Sequence, residues 1–435
     1  LDDGQRASFG LGFPPLAPPL MTGPLSTRAV ITMDGKGRST IEAQADLGGV
    51  RVVLPGLGWI KPAEGGGRAE VLARFEKGRL SAVPMFSATA DSGLDVRGDV
   101  AVGEDGAPRR VTFERFKAGR TDVAGTLDLA AGGGLAIRLR GAGIDLAPAL
   151  GASPDESPPR TPDPAAPPLD IDLSANRLWA SENGHFDKIE AHLSRKSGLW
   201  NYVNLEATVG DGKAVSVWVV PGSPERRIEV AAEDAGDVLR ALGIFETMIG
   251  GKLEIKGTID ASDTTKGICS ITDYRVIKAP LLARLLTVAA LTGILESLTG
   301  DGLRFTHLEL PFTRADGVLT ISDAQAYGPS LGLTAKGKVH SAREQIDIEG
   351  TVVPAYVLNS LLGKIPLVGD LLTGEKGGGV FAANYSLKGP MADPAVSVNP
   401  LSVLTPGFLR KLFHVFDDKE DTDGKEKEKE TSQPE

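Results

Sequence analysis

Apolar and polar side chains alternate along most of this chain, most clearly between residues 331 and 352. Successive side chains of a β-strand point to opposite faces, so this alternation predicts strands with one apolar and one polar face. Two such strands, 331–339 and 346–352, can pair with their apolar faces in register. Pro354 cannot donate to a neighbouring strand and is expected to end the second one. The two apolar faces carry Leu331, Leu333, Val339, Ile346, Ile348 and Val352.

The same alternation recurs upstream in short segments separated by Gly, Asp or Pro, which is typical of an antiparallel meander. Further strands are predicted at 27–33, 39–47, 68–75, 78–90, 93–102, 110–116, 121–129, 134–139, 169–173, 186–193, 203–209, 215–220, 227–231, 379–387 and 396–398. The pattern therefore predicts a mainly β protein built on a long antiparallel sheet.

Helical periodicity interrupts only the second half of the chain. Asp234 can cap a helix that reaches Ile249. A second helix is predicted from 280 to just before Gly300, apolar on nearly every side, followed by short apolar turns at 355–372 and an amphipathic helix at 407–416. The apolar side chains of these last three segments include Leu285, Leu291, Leu361, Leu367, Phe408 and Phe413.

The chain is long enough for several domains, since its 435 residues compare with about 100–200 residues per domain. Shifts in composition suggest where they divide. The predicted organisation is a loop or truncated edge at 1–25, a first β-rich repeat unit at 26–150, a Pro-rich linker at 151–168, a β-rich region with helices at 169–416, and a disordered charged tail at 417–435.

Composition and charge exclude several classes of protein. The net charge is -10 and only 5% of residues are aromatic, without a basic stripe, so nucleic acid is not an expected partner. The single cysteine, Cys269, excludes an intrachain disulfide. No stretch approaches the roughly 20 apolar residues of a spanning helix. We expect a processed form or a fragment whose targeting signal precedes Leu1.

Candidate catalytic chemistry is weak. Residues 328–332 match the G-x-S-x-G pattern around Ser330, but a predicted strand follows, whereas a nucleophile elbow requires a helix. The five histidines lack the spacing of a metal site or triad. A calcium-loop pattern begins at Lys419, which cannot coordinate a cation. The sequence therefore predicts neither an enzyme nor a cofactor.

The one-sided strands allow two interpretations. Their apolar faces can pack on one another as an ordinary β core, which is the common arrangement. Alternatively, a curved sheet with few helices to cover it can enclose a long apolar groove for acyl chains. Alternation alone leaves both open.

Several motifs resemble the C-terminal region of AsmA-like proteins, which are envelope proteins of Gram-negative bacteria related to TamB and YhdP. The resemblance is greatest to their alphaproteobacterial branch, and it covers residues 230–416 better than the first 220. The motifs lie at 234–236, 279–286, 328–335, 353–360, 365–369, 398–402 and 406–410.

The resemblance implies an inner-membrane anchor preceding this sequence, a body in the periplasm, and a curved β groove that carries phospholipid towards the outer membrane. Phospholipid and the two membranes, or proteins in them, are then the expected partners. On this interpretation the six apolar residues at 331–352 line the groove, and the six helical ones listed above are membrane-contact candidates. The alternative is a scaffold for outer-membrane β-barrel proteins that works by pairing strands at an open sheet edge.

Overall fold

The computed structural model describes residues 1–8, 16–130, 132–151, 163–289, 291–354 and 382–401. Within these ranges the protein is mainly β with few, short helices, as predicted. It divides into two compact units, Leu1–Gly267 and Ile268–Glu435, and the boundary falls within the strand Thr265–Val276. The predicted linker at 151–168 is described only in part, so the domain boundaries proposed above stay predictions.

Unit 1 contains every strand predicted from alternation in its sequence, each usually extended by a few residues. Its strands are β1 (Met21–Thr22), β2 (Ser26–Met33), β3 (Arg38–Asp46), β4 (Arg51–Leu54), β5 (Trp59–Lys61), β6 (Gly67–Glu76), β7 (Arg79–Ala90), β8 (Leu94–Val102), β9 (Pro108–Ala118), β10 (Thr121–Leu129), β11 (Leu135–Asp145), β12 (Leu169–Trp179), β13 (His185–Lys196), β14 (Leu199–Val209), β15 (Lys213–Val220), β16 (Arg226–Ala232) and β17 (Met248–Ile259).

The main sheet of unit 1 runs from β2 and β3 through β6 to β17, each strand beside the next in sequence. One pair departs from the predicted antiparallel order, because β11 and β12 are parallel, from Leu135 beside Leu169 to Asp145 beside Trp179. A parallel pair needs a crossover connection of a dozen or more residues, and the 23 residues between β11 and β12 are long enough for one.

A small cap precedes and interrupts this sheet. Strands β1, β4 and β5 form a separate three-stranded sheet, and helix α1 is Asp3–Ser8. The prediction of a loop over 1–25 missed this helix because the buried Arg6 ties the segment down, donating to the carbonyls of Leu16 (3.1 Å) and Gly23 (2.7 Å).

Two further helices belong to unit 1, α2 (Ala147–Leu150) and α3 (Ala235–Ala241). Asp234 caps α3 as predicted, since its carboxylate accepts a hydrogen bond from the Asp237 amide. The prediction that this helix reaches Ile249 was wrong: Gly243 has a φ of 68°, which stops the helix, and Ile249 lies in β17.

Unit 2 continues with β18 (Thr265–Val276), β19 (Leu303–Ala315), β20 (Val318–Tyr327), β21 (Leu331–His340), β22 (Gln345–Pro354), β23 (Ala382–Pro390) and β24 (Ala395–Leu401). The strands from β19 to β24 pair antiparallel in sequence order. Pro354 is the last described residue of β22, so its role in ending that strand stays a prediction.

The helix predicted from 280 to just before Gly300 forms two helices, α4 (Pro280–Val288) and α5 (Thr292–Thr299). The prediction of a single helix was wrong, because the chain leaves the helical conformation between Val288 and Thr292. Gly293, a poor helix former, lies in the first turn of α5. The helical segments predicted at 355–372 and 407–416, and the tail at 417–435, lie outside the described residues.

Candidate functional site

One cross-strand row of unit 1 is apolar throughout the main sheet, and we call it the central row. Each member lies directly opposite the next in the strand register, so the row is a continuous stripe on one face. In order from β2 to β17 it consists of Ala29, Ala43, Val71, Phe86, Gly98, Phe113, Gly125, Leu139, Leu173, Ala191, Leu205, Val217, Val230 and Ile255.

Most of the central row remains partly open. Phe86, Leu139, Leu205 and Val217 are only half-buried, although they lie on the apolar face of a sheet. A packed β core would bury such side chains fully against a second layer. The central row therefore offers a long strip of accessible apolar surface, which is the property of a surface that binds apolar ligands or partners.

One margin of this apolar face is closed by packing. The cap buries Val50 and Trp59 against side chains that include Ala69 and Phe116. Further along, Val123, Ile144 and Ala175 form a buried cluster, and α3 packs on β17 with Val238 and its neighbours buried. The apolar surface of the central row is therefore covered along this margin and accessible beyond it.

The opposite face of the same strands is charged. An ion-pair chain crosses it from Arg110 on β9 through Asp128 and Arg138 to Asp172, with the Arg138–Asp128 contact at 2.8 Å, and Asp172 also contacts the His192 ring. The side-chain hydrogen bond from Arg110 is the main reason that the pKa of the Asp128 carboxyl is lowered. On strands β9 to β13 this face therefore presents charged side chains to water.

In unit 2 the pairing predicted for 331–352 is confirmed. Leu333 lies opposite Val352 and Val339 opposite Ile346, so the apolar faces of β21 and β22 are in register. The six groove candidates lie on one face but differ in exposure. Leu333, Val339 and Ile346 are half-buried, whereas Leu331 (1% exposed), Ile348 (8%) and Val352 (0%) are buried.

Helix α4 covers part of this face. Leu285 is 4% exposed and packs in one cluster with Ile348 and Tyr385, with Leu282 beside it. Leu285 was a membrane-contact candidate, but here it contacts the sheet. Leu291 is half-buried just before α5, and the candidates Leu361, Leu367, Phe408 and Phe413 lie outside the described residues.

The G-x-S-x-G pattern around Ser330 does not form a nucleophile elbow. Ser330 lies in the tight turn between β20 and β21, where the Gly328 amide donates to the Leu331 carbonyl, and a strand follows it. Within the same described part, no three His, Cys, Asp or Glu side chains are grouped to hold a metal ion.

Sequence reasoning missed the central row as a site. Each strand showed its own apolar face, but the row depends on the register that joins the strands. That register shifts at bulges, such as the one between Val123 and Gly125, which a single strand's pattern does not reveal. The signal that was available is the small residue at positions such as Gly98 and Gly125, placed opposite Phe113.

Together these features define a class: a mainly β protein with a half-open apolar face on one side of its strands and a charged face on the other. No described helix has both the length and the apolar character needed to cross a membrane.

The chain is similar to a protein of Escherichia coli (strain K12), "Intermembrane phospholipid transporter YhdP", at 26% identity over 148 residues. The match covers 31% of this chain and 12% of YhdP, so the chain matches only a small part of that relative. No family model matches the chain, and no solved structure does. The likeness supports the AsmA-like resemblance loosely, and the alphaproteobacterial assignment stays a prediction.

Proposed function

We propose that this chain is part of a protein that carries phospholipid between two membranes, with the acyl chains lying on its apolar faces. The observation that supports this most is the central row, a half-open apolar stripe that crosses strand after strand of unit 1. The name of the similar protein YhdP describes the same activity.

The proposed mechanism is passive. An acyl chain that leaves water gains about 0.8 kcal/mol per buried methylene, and a row of similar side chains offers nearly equal energies at successive positions. A lipid can therefore move along the row without a large barrier at any one strand. The polar head group stays at the open side, because the other margin is closed by the cap and α3. No catalytic residue takes part.

In unit 2 the proposed path includes a step that sequence reasoning did not foresee. Leu285 of α4 occupies the surface that an acyl chain would need at Ile348. Lipid reaches this part of the face only when α4 moves away. We propose that the chain works in the periplasm, held to the inner membrane by a segment outside this sequence, as the AsmA-like resemblance implies.

Photo-cross-linking at neighbouring positions of β14 and of β16 tests the proposal. Benzoylphenylalanine at Leu205 or Val230 faces the apolar side, whereas at Glu206 or Glu229 it faces the charged side. In cells, the first pair should yield phospholipid adducts and the second pair should not. Adducts of equal yield on both faces, or on neither, would contradict the proposal.

The exposed strand β2 keeps the scaffold function as the second candidate. All eight residues of β2 are exposed, including Val30 (55%) and Ile31 (57%), and the strand's described partner is β3. An exposed, apolar strand of this kind is a template for pairing with another chain. A charge at Ile31 (Ile31→Lys) should abolish such pairing and leave lipid adducts at Leu205 unchanged.

A further inference from the structure

The polar face of unit 2 contains a cavity that lipid transport does not use. It has a volume of about 530 Å³, within the roughly 300–1,000 Å³ of ligand clefts, and lies on strands β20–β24. Two cross-strand rows form it: Lys336, Glu349, Ser386 and Ser397 in one, and Thr351, Asn384 and Asn399 in the other.

The floor of this polar cavity is an opening in the β21–β22 ladder. The amide of Thr351 donates to the hydroxyl of Thr334 at 3.1 Å, and the Thr334 carbonyl accepts the Tyr385 hydroxyl at 2.7 Å from the apolar side. Both threonines are buried, at 8% and 6% exposure. The opening is therefore held in place by specific hydrogen bonds.

Glycine at 350 permits this opening. A Cβ at Gly350 would lie 1.9 Å from the Thr334 carbonyl oxygen and 2.7 Å from the Tyr385 hydroxyl oxygen. No side chain fits there, so glycine at 350 leaves room for the Tyr385 hydroxyl to reach the Thr334 carbonyl from the apolar side.

The groups that line the cavity are suited to a neutral, hydroxyl-rich ligand. The Thr351 hydroxyl donates to the Asn384 Oδ1 at 2.9 Å, and the hydroxyls of Ser386 and Ser397 are 2.9 Å apart. Amides and hydroxyls both donate and accept, which matches the alternating donors and acceptors of a sugar.

Charge argues against a phosphate or carboxylate ligand. Among the described lining residues the one cation is Lys336, and its ammonium lies 3.0 Å from the Glu349 carboxylate. Asp323 adds a second carboxylate to the lining. A paired cation beside two acids does not form the cationic cluster that anions need.

We infer that this polar cavity binds a neutral saccharide, so that unit 2 holds a glycan on one face and its apolar surface on the other. This inference is independent of lipid transport, because the cavity and the Leu205 position lie in different units. It would give the protein a fixed attachment to a glycan.

Calorimetric titration of the full chain with two neutral trisaccharides, chitotriose and maltotriose, tests the inference. At least one should bind, and binding should weaken about tenfold in Asn399→Ala and in Asn384→Ala. Lys388→Ala is the matched control, because Lys388 lies on the same face of β23 outside the cavity and is exposed. It should bind as the unaltered chain does.

Three results would overturn the inference: neither sugar binds, the sugar binds equally to Asn399→Ala, or glycerol 3-phosphate binds at the cavity more tightly than either sugar. Asn384 and Asn399 are exposed, so both variants should keep the unfolding midpoint of the unaltered chain. Because Asn384 also accepts from the buried Thr351, Asn399→Ala is the decisive variant if Asn384→Ala shifts that midpoint.

Discussion

At the scale of single residues, Gly350 makes the sharpest prediction. Its substitution by alanine places a methyl group 1.9 Å from the Thr334 carbonyl oxygen, where backbone must move. We expect Gly350→Ala to lower the free energy of unfolding of unit 2 by about 2–3 kcal/mol, as overpacking does. Gly293→Ala is the control, because its added Cβ meets nothing within 4 Å apart from its chain neighbours and its own helix backbone. Equal unfolding midpoints for the two variants in urea would refute the steric argument.

Tyr385 makes a prediction about pH. Burial raises its pKa to about 12, above the ordinary value of about 10. The unfolded chain therefore loses this proton first, so its contribution to stability is complete below about pH 10 and is lost as the pH rises towards 12.

Tyr385→Phe tests this assignment. The variant should be less stable at pH 8 by about 1 kcal/mol, because it lacks the hydrogen bond to Thr334, and its stability should fall less steeply between pH 10 and 12. Burial also raises the pKa of Tyr274, so part of the slope remains. Identical slopes for the variant and the unaltered chain in urea titrations would show that Tyr385 is not the group responsible.

At the scale of elements, the apolar side of α4 holds this helix against the sheet of unit 2. Leu285 is buried on Ile348 and Tyr385, whereas Val288 on the same helix is 53% exposed. We expect Leu285→Asp to destabilise the docked helix by about 3 kcal/mol and to free it from the sheet, since the carboxylate would be buried without a partner. Val288→Asp should have little effect.

Limited proteolysis within α4 measures this release. Leu285→Asp should be cleaved faster than Val288→Asp, and should also give stronger lipid adducts at Ile348 if α4 blocks the apolar face.

The ion pair between Arg284 and Asp393 joins exposed side chains, so Arg284→Ala should change stability by less than about 1 kcal/mol. If only Arg284→Ala were cleaved quickly, the ion pair and not Leu285 would be what keeps α4 on the sheet.

The elements also show what sequence could predict. Alternation located the strands because period two is strong over eight or more residues, as in β13 and β21. The strands β1, β4 and β5 were missed because two to four residues hold too little periodicity. The longer strands β17 to β20 were also absent from the prediction, so alternation did not locate every long strand. The length of α3 was misjudged because Phe245 and Ile249 continue the apolar pattern beyond the helix end.

The sequence could predict that the candidate site is an apolar sheet face, but it could not predict which part of the molecule carries it. Alternation at 331–352 correctly indicated an apolar face, and its residues are in register. Sequence could not show that α4 packs on that face, because the contact of Leu285 with Ile348 joins distant segments. It could not show that the more open apolar surface lies in unit 1, because the central row requires the register of every strand.

At the scale of the whole molecule, the account requires that the chain binds phospholipid through the central row. Native mass spectrometry, with lipid extraction, on the full chain purified from a bacterial envelope measures this directly. Val217→Asp and Ser216→Asp place the same charge on opposite faces of β15 at neighbouring positions.

The account predicts phospholipid bound to the unaltered chain and to Ser216→Asp, and its loss from a folded Val217→Asp. A folded, lipid-free unaltered chain, or lipid that persists in Val217→Asp, would contradict it.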